Sequence, residues 1–231
     1  APLRAKAPSN TCQTSTCPPL GGPAYLLLSH SEHNGDVSMC GIVGIIAPPG
    51  KQFDQRTISN MRKLISRRGP DDSGYASIEL AEGRIKTGDD PQTASMQLGF
   101  TRLSIRDLSH HGHQPMVSDD GSTVLVFNGE IYNTAQLIAE HLQGFSLNST
   151  GDTEIVLRMC QKLGVERTVQ LLDGMFALAI YNGHTKKLKL ARDRFGIKPL
   201  YFANWQNSLA FASEIKPLLA SGLFPSEIDP E

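Results

Sequence analysis

The sequence is short of cysteine, of net charge and of long apolar runs. Four cysteines in 231 residues do not make a disulfide scaffold. Their positions, Cys12, Cys17, Cys40 and Cys160, fit no zinc pattern with paired ligands. Reduced thiols and a cytoplasmic location are therefore expected. A formal net charge of −1 supplies no field that would draw nucleic acid or a membrane surface. Nothing approaches the roughly 18 consecutive apolar residues of a membrane-crossing helix. What remains is an ordinary globular balance, 39% hydrophobic and 19% charged, with length enough for a sizeable core.

Residues 1–39 differ from the rest. Pro2, Pro8, Pro18, Pro19 and Pro23 break them up, and Ser, Thr, Gly and Asn fill much of the remainder. The one continuous apolar run, Ala24 to Leu28, is too short for a signal peptide, and no good cleavage site follows it. The composition predicts a disordered extension.

From Cys40 the pattern is dense. Gly41 to Ile46 suits a buried strand. Residues 55–67 put Ile58, Met61, Leu64 and Ile65 on one helical face. Strands are expected over Tyr75–Leu80, Met96–Leu103, Thr123–Phe127, Met175–Tyr181, Lys187–Arg192, Leu200–Ala203 and Leu209–Ala212. Gly83 and Gly88 read as turns. Helices are expected over Ala135–Leu142 and Glu154–Leu163, the second stopped by Gly164, with a short one over Glu214–Leu219. Strands early and late with helices between, and no βα alternation, predict a layered α+β fold.

Cys40 raises a chemical question. A thiol with pKa near 8.5 is mostly protonated at neutral pH, so as a nucleophile it needs a base. His110, His111 and His113 sit in polar turns, and no histidine stands out as a partner. The other solution makes the nucleophile residue one, with its own α-amine as base. That amine has a pKa of roughly 7.7–8.0, and Gly41 is the small neighbour the geometry needs. Met39-Cys40-Gly41 satisfies this if Met39 is an initiator that is removed. An amide nitrogen cannot serve, because its lone pair is delocalised into the peptide bond. A chain that keeps residue 39 attached is expected to be inactive. Taken alone, a cysteine before an apolar strand is more often a small buried hydrophobe.

The rest of the chain alters that balance. Cys40-Gly41-Ile42-Val43-Gly44, "RRGPDDSG" at Arg67–Gly74, "RLSIRDLS" at Arg102–Ser109, "GHQPM" at Gly112–Met116 and "FNGEIYN" at Phe127–Asn133 stand in order. They are followed by "TGDTE" at Thr150–Glu154, "DGMFALAIY" at Asp173–Tyr181, "ARDRFGIKPLYF" at Ala191–Phe202 and "FASEIK" at Phe211–Lys216. This series resembles the glutaminase half of the glutamine-hydrolysing asparagine synthetases, a class II glutamine amidotransferase domain, over residues 40 to about 225. The resemblance implies a four-layer αββα sandwich of the N-terminal nucleophile hydrolase type across 40–231. It implies hydrolysis of L-glutamine to L-glutamate and ammonia, with Cys40 forming a thioester.

By the same resemblance, Asn128 (side-chain amide) and Gly129 (backbone N–H) form the oxyanion hole. Arg102 clamps the substrate α-carboxylate and Asp152 holds its ammonium. Backbone groups of Leu103, Ser104, Ile105 and Arg106 line the pocket, and Glu130 binds the substrate's polar end. "RGPDDSG" borders the pocket, with no proton transfer assigned to Asp71 or Asp72. Arg192 to Pro199 packs near the nucleophile. Each residue has a plainer reading beside this one. Asn-Gly is a strong hairpin signal, an arginine is usually at the surface, and Asp152 before Thr153-Glu154 could be a helix N-cap.

No metal and no organic cofactor are implied for this half. ATP and Mg are expected only for a synthetase domain, which is not expected within these residues, where no Gly-rich phosphate loop is present. The implied partners are L-glutamine, a synthetase domain in cis or in trans, and a second copy in a homodimer, with neither nucleic acid nor membrane. Residues 1–39 are then an upstream stretch carried into the gene, a propeptide, or an extension that silences the enzyme. Three functions stand open at this level: a glutaminase feeding ammonia to a synthetase domain, a silent glutamine-binding or regulatory domain, and an amidotransferase with another acceptor.

Overall fold

Strands buried on both faces explain why the sequence reads as apolar runs rather than as alternation. In the computed structural model, which describes residues 39–104, 112–149 and 151–224 and the backbone of three two-residue strands before them, two antiparallel sheets lie face to face. The short strands are Arg4–Ala5 (β1), Ser15–Thr16 (β2) and Tyr25–Leu26 (β3). The rest of the 1–38 segment lies outside the described residues, and the disorder expected there is not addressed.

The elements from residue 41 are β4 (Gly41–Ile46), α1 (Gln55–Leu64), a 3-10 turn at Ser66–Arg68, β5 (Asp72–Glu79), β6 (Arg84–Gly88), β7 (Met96–Arg102), β8 (Met116–Val117) and β9 (Thr123–Ile131). They continue with α2 (Thr134–His141), α3 (Asp152–Leu163), α4 (Val165–Leu171), β10 (Gly174–Asn182), β11 (Lys187–Arg192), β12 (Tyr201–Trp205), β13 (Ser208–Ala212) and α5 (Ile215–Ala220). One sheet runs β12-β13-β4-β7-β5-β6 and the other β2-β11-β10-β9-β8.

Three cores fill the gaps. Between the sheets, Ile42, Leu98 and Phe100 meet Val124, Val126, Ala177 and Tyr181. Outside the six-stranded sheet, Val43 and Ile45 pack with Ile58, Met61 and Ile65 of the α1 segment and Leu218 of α5. Outside the five-stranded sheet, Leu125, Phe127 and Leu178 pack on Leu137, Val156 and Val169 of α2, α3 and α4. Neighbouring residues of β4, β9 and β10 thus serve opposite faces, as the two-residue period requires. The order helix, sheet, sheet, helix is the expected αββα sandwich.

Most predicted elements are present. Leu64 is the exception on its helix: it is 39% exposed, because Ile65 rather than Leu64 turns toward the sheet. The strand expected to end at Phe127 continues to Ile131. β6, β8 and α4 were not anticipated. β6 is a largely exposed edge strand, and α4 is only seven residues long and hinged on Gly164 at φ 79°, so none carries a clear periodic signal.

At Gly44 a methyl group would overlap two ring atoms of the fully buried Phe211. Gly44→Ala should therefore destabilise the fold by about 1–3 kcal/mol through overpacking. A guanidinium denaturation curve with an unchanged midpoint would contradict this.

Candidate active site

The inter-sheet core opens at one end. β8 is two residues long, so among the described residues no strand lies along the outer edge of β9 beyond Leu125. In the β9–β10 register Phe176 faces Gly129, and the N–H and C=O of Phe176 are both bonded to Asp193 on the β11 side. Gly129 therefore belongs to a non-hydrogen-bonded pair, and its own N–H points to the open edge. Along that edge side chains replace the missing strand. Phe127 N donates to Gln114 Oε1 (2.6 Å) and Ile131 N to Asp152 Oδ2 (2.7 Å). The N–H of Gly129 stands between them at the cavity wall.

The cavity measures about 130 Å³, several times the roughly 10–15 Å³ that one water needs. Cys40, Arg102, Leu103, Asn128, Gly129, Glu130 and Asp152 all line it. Ser104 does not; its N–H donates to Asp71 Oδ2 at 2.7 Å. Ile105 and Arg106 lie outside the described residues.

Cys40 stands just before β4, at the rim of the inter-sheet core. Its Sγ is 3.4 Å from Leu103 N and 3.6 Å from Leu103 O, and Arg68 Nε donates to its carbonyl at 3.1 Å. Burial pushes the thiol pKa up. The Leu103 N–H and the charges of Arg102, Lys198 and Arg68 pull against that without cancelling it. The thiol is thus held neutral and needs a base to react.

Asn128 and Gly129 lie inside β9 opposite Ala177 and Phe176, so the hairpin reading is overturned: a long paired strand outweighs the local turn preference. Asn128 is 1% exposed, and its Nδ2 has no partner among the described residues. Buried donors are nearly always paired, so this one is an exception that needs an explanation. A Cβ at Gly129 would come 2.5 Å from Met175 O, so the approach of β10 requires glycine there.

Arg102 is buried, which overturns its surface reading. Gly69 lets the 3-10 turn pass close beneath it, since a Cβ there would be 2.5 Å from the Arg102 carbonyl carbon. Gly112 lies against its guanidinium, which a side chain there would displace. Asp152 is not a cap. Gly151 takes the N-cap position of α3, and the Asp152 carboxylate turns to β9.

Several cavity residues escaped the sequence reading, although each lies in a quoted motif. Gln114 belongs to "GHQPM" and Thr153 to "TGDTE". Lys198 belongs to "ARDRFGIKPLYF", whose expected packing near the nucleophile is seen. Asp193 builds that turn: one carboxylate oxygen accepts from Phe195 N and Ile197 N, the other from Lys198 N and Phe176 N. The fold thus brings Lys198 Nζ to 3.1 Å from Met39 Sδ beside Cys40, where burial lowers the amine pKa. Among the described residues no cluster of His, Cys, Asp and Glu could hold a metal ion, and no helix is long and apolar enough to cross a membrane.

Comparisons with known proteins place the chain in a family and match its fold. A family model described as a glutamine amidotransferase domain matches residues 39–231. Asparagine synthetase [glutamine-hydrolyzing] 2 of Bacillus subtilis is 37% identical over 194 residues, covering 83% of this chain and 24% of that protein. The amidase chyE of Penicillium rubens is 34% identical over 198 residues, covering 81% and 27%. The chain thus spans about a quarter of the length of these relatives. Among solved structures, the glutamine phosphoribosylpyrophosphate amidotransferase of B. subtilis superposes with a TM-score of 0.66 at 18% identity, over 79% of this chain and 44% of that one. That likeness concerns the fold alone. With the match running from the residue before Cys40 to the last residue of the chain, the protein belongs to the glutamine amidotransferase domain family, an enzymatic family that includes the glutamine-hydrolysing asparagine synthetases.

Proposed function

We propose that the chain hydrolyses L-glutamine to L-glutamate and ammonia at Cys40, and that the ammonia is used by a synthetase domain, in cis or in trans, to make asparagine from aspartate and ATP. The observation that carries the reading is the buried Asn128 amide, unpartnered among the described residues, in the wall of the cavity that also holds the Cys40 sulfur. A donor with nothing to bind in the resting protein suits an oxygen that becomes negative only during reaction.

In this reading the glutamine side-chain amide lies between Cys40 and β9. The α-amine of Cys40, freed by loss of Met39, takes the thiol proton as sulfur attacks the amide carbon. The resulting oxyanion is held by Asn128 Nδ2 and the Gly129 N–H. The tetrahedral intermediate collapses, the amine returns the proton to the leaving nitrogen, and ammonia departs. Water, deprotonated by the same amine, then opens the thioester to glutamate. Arg102 pairs with the substrate α-carboxylate as a planar fork, Asp152 takes its ammonium, and Leu103 and Glu130 complete the polar wall. The reaction draws on no metal or organic cofactor; ATP and Mg would serve the synthetase domain.

The support for a free amine is chemical. The thiol is held neutral, and among the described residues no histidine stands in the cavity wall to serve as base. The test is the intact mass of the protein isolated from its own cells, with a glutaminase assay on the same sample. A mass beginning at Cys40 together with ammonia release is the expected result. A mass retaining residue 39 with full glutaminase activity would refute the N-terminal nucleophile. Retention without activity would favour a silent glutamine-binding domain, with Met39 part of its cavity wall.

A further inference from the structure

We infer that Gln114 is a positioning residue for this site, holding the oxyanion donors of β9 at a fixed distance from the carboxylate of Asp152. The inference rests on the function proposed above. β8 pairs with β9 as Met116↔Leu125 and Val117↔Val124. Continuing that register would put residue 114 opposite Phe127. The paired backbone begins only at Met116, so the main chain of residue 114 does not extend the ladder to Phe127. The side chain of Gln114 takes it over: Oε1 accepts from Phe127 N at 2.6 Å and Nε2 donates to Phe127 O at 3.1 Å. One primary amide thus supplies the donor and the acceptor that a neighbouring strand would have supplied.

The same Nε2 donates a second bond, to Thr153 Oγ1 at 3.1 Å. Thr153 is in the first turn of α3, next to Asp152. β9 is therefore tied to α3 twice, by Gln114–Thr153 at Phe127 and by Asp152 at Ile131. The two ties straddle Asn128 and Gly129. Gln114 is 4% exposed, so these bonds form where competing water is scarce and geometry is held tightly. The donors that meet the oxyanion and the carboxylate that meets the substrate ammonium lie on different elements. Their spacing must match one substrate, and the planar amide of Gln114, bonded on both sides, is the piece that spans them.

The experiment uses protein with a free Cys40 amine, its active sites counted by thiol alkylation. Wild type, Gln114→Ala, Thr153→Val and Thr153→Ser are compared. Gln114→Ala should lower kcat about 10²-fold, the effect of misplacing a reacting group by roughly 1 Å, with a smaller rise in KM. Thr153→Val, which cuts one tie, should cost up to about tenfold, the worth of one hydrogen bond. Thr153→Ser keeps the hydroxyl and should stay within about twofold of wild type. A second readout separates positioning from general damage. The γ-aldehyde analogue of glutamine adds the Cys40 sulfur to its carbonyl carbon while its oxygen takes the thiol proton. Its binding should weaken in step with kcat/KM, whereas the product glutamate should bind nearly as before.

If wild type is active and the Thr153→Val and Thr153→Ser proteins match it, the inference is overturned and the proposed function stands. If Gln114→Ala fails to fold, the Thr153 pair still decides. If wild type with a free Cys40 amine releases no ammonia, the function falls and the inference with it.

Discussion

Cys40→Ala should abolish ammonia release, by at least about 10⁴-fold, because a nucleophile acting with its base is not replaced piecemeal. Glutamine binding should survive the change, since Arg102, Asp152 and the β9 edge are untouched. Titration calorimetry with glutamine should give a Kd within about threefold of the parent thiol protein, measured before turnover or with a non-hydrolysable analogue. A Cys40→Ala protein that still released ammonia at the parent rate would remove Cys40 from the mechanism. The thiol can be singled out chemically as well. Burial pushes Cys160 up to about 12, so it is inert at ordinary pH. Cys40 is only part-buried and lies at a cavity. Among the cysteines of the described residues, iodoacetamide at pH 8 should modify Cys40 first, and glutamine should protect it.

The sequence carried the fold well where strands are buried on both faces. β4, most of β10 and β9 from Val124 to Phe127 are apolar because they face two cores, and that signal is hard to miss. It carried the edges poorly. β6 is polar and exposed, and β8 is two residues long, just after Pro115. The site divides in the same way. Cys40 could be questioned from its own chemistry, but the roles given to Arg102, Asn128, Gly129 and Asp152 came from resemblance. On local rules alone Asn128-Gly129 is a turn and Asp152 a cap. Both readings failed for one physical reason. β10 pairs with β9 through residue 131, which keeps the Asn-Gly step extended. The open edge beside it then recruits the Asp152 carboxylate that a free helix end would have used for itself. Gln114 was out of reach altogether, because a side chain standing in for a strand leaves no periodic trace.

Asn128→Leu should separate stability from catalysis. In the resting protein the Asn128 amide nitrogen is buried without a partner among the described residues. Such a donor carries a desolvation penalty of about 1–3 kcal/mol, which the fold bears continuously. Leucine has the same branched skeleton and no donor to satisfy, and the adjoining cavity can take its bulkier methyl groups, so the substitution should leave the stability unchanged or raise it by up to about 1 kcal/mol. The catalytic effect runs the other way. Under the proposed mechanism the amide finds its partner only when the glutamine carbonyl oxygen becomes negative, and losing one oxyanion donor costs about 10²–10³ in kcat. KM should change little, because the interaction is made in the transition state and not in the ground state. Guanidinium denaturation and steady-state glutaminase kinetics on the same preparation read both quantities. A variant that lost stability and activity together would mean that Asn128 is a structural residue. A variant as active as the parent would remove it from the oxyanion hole. Higher stability with a kcat lowered 10²-fold or more would identify the unpaired amide as a cost the fold bears so that the donor is in place before the charge appears.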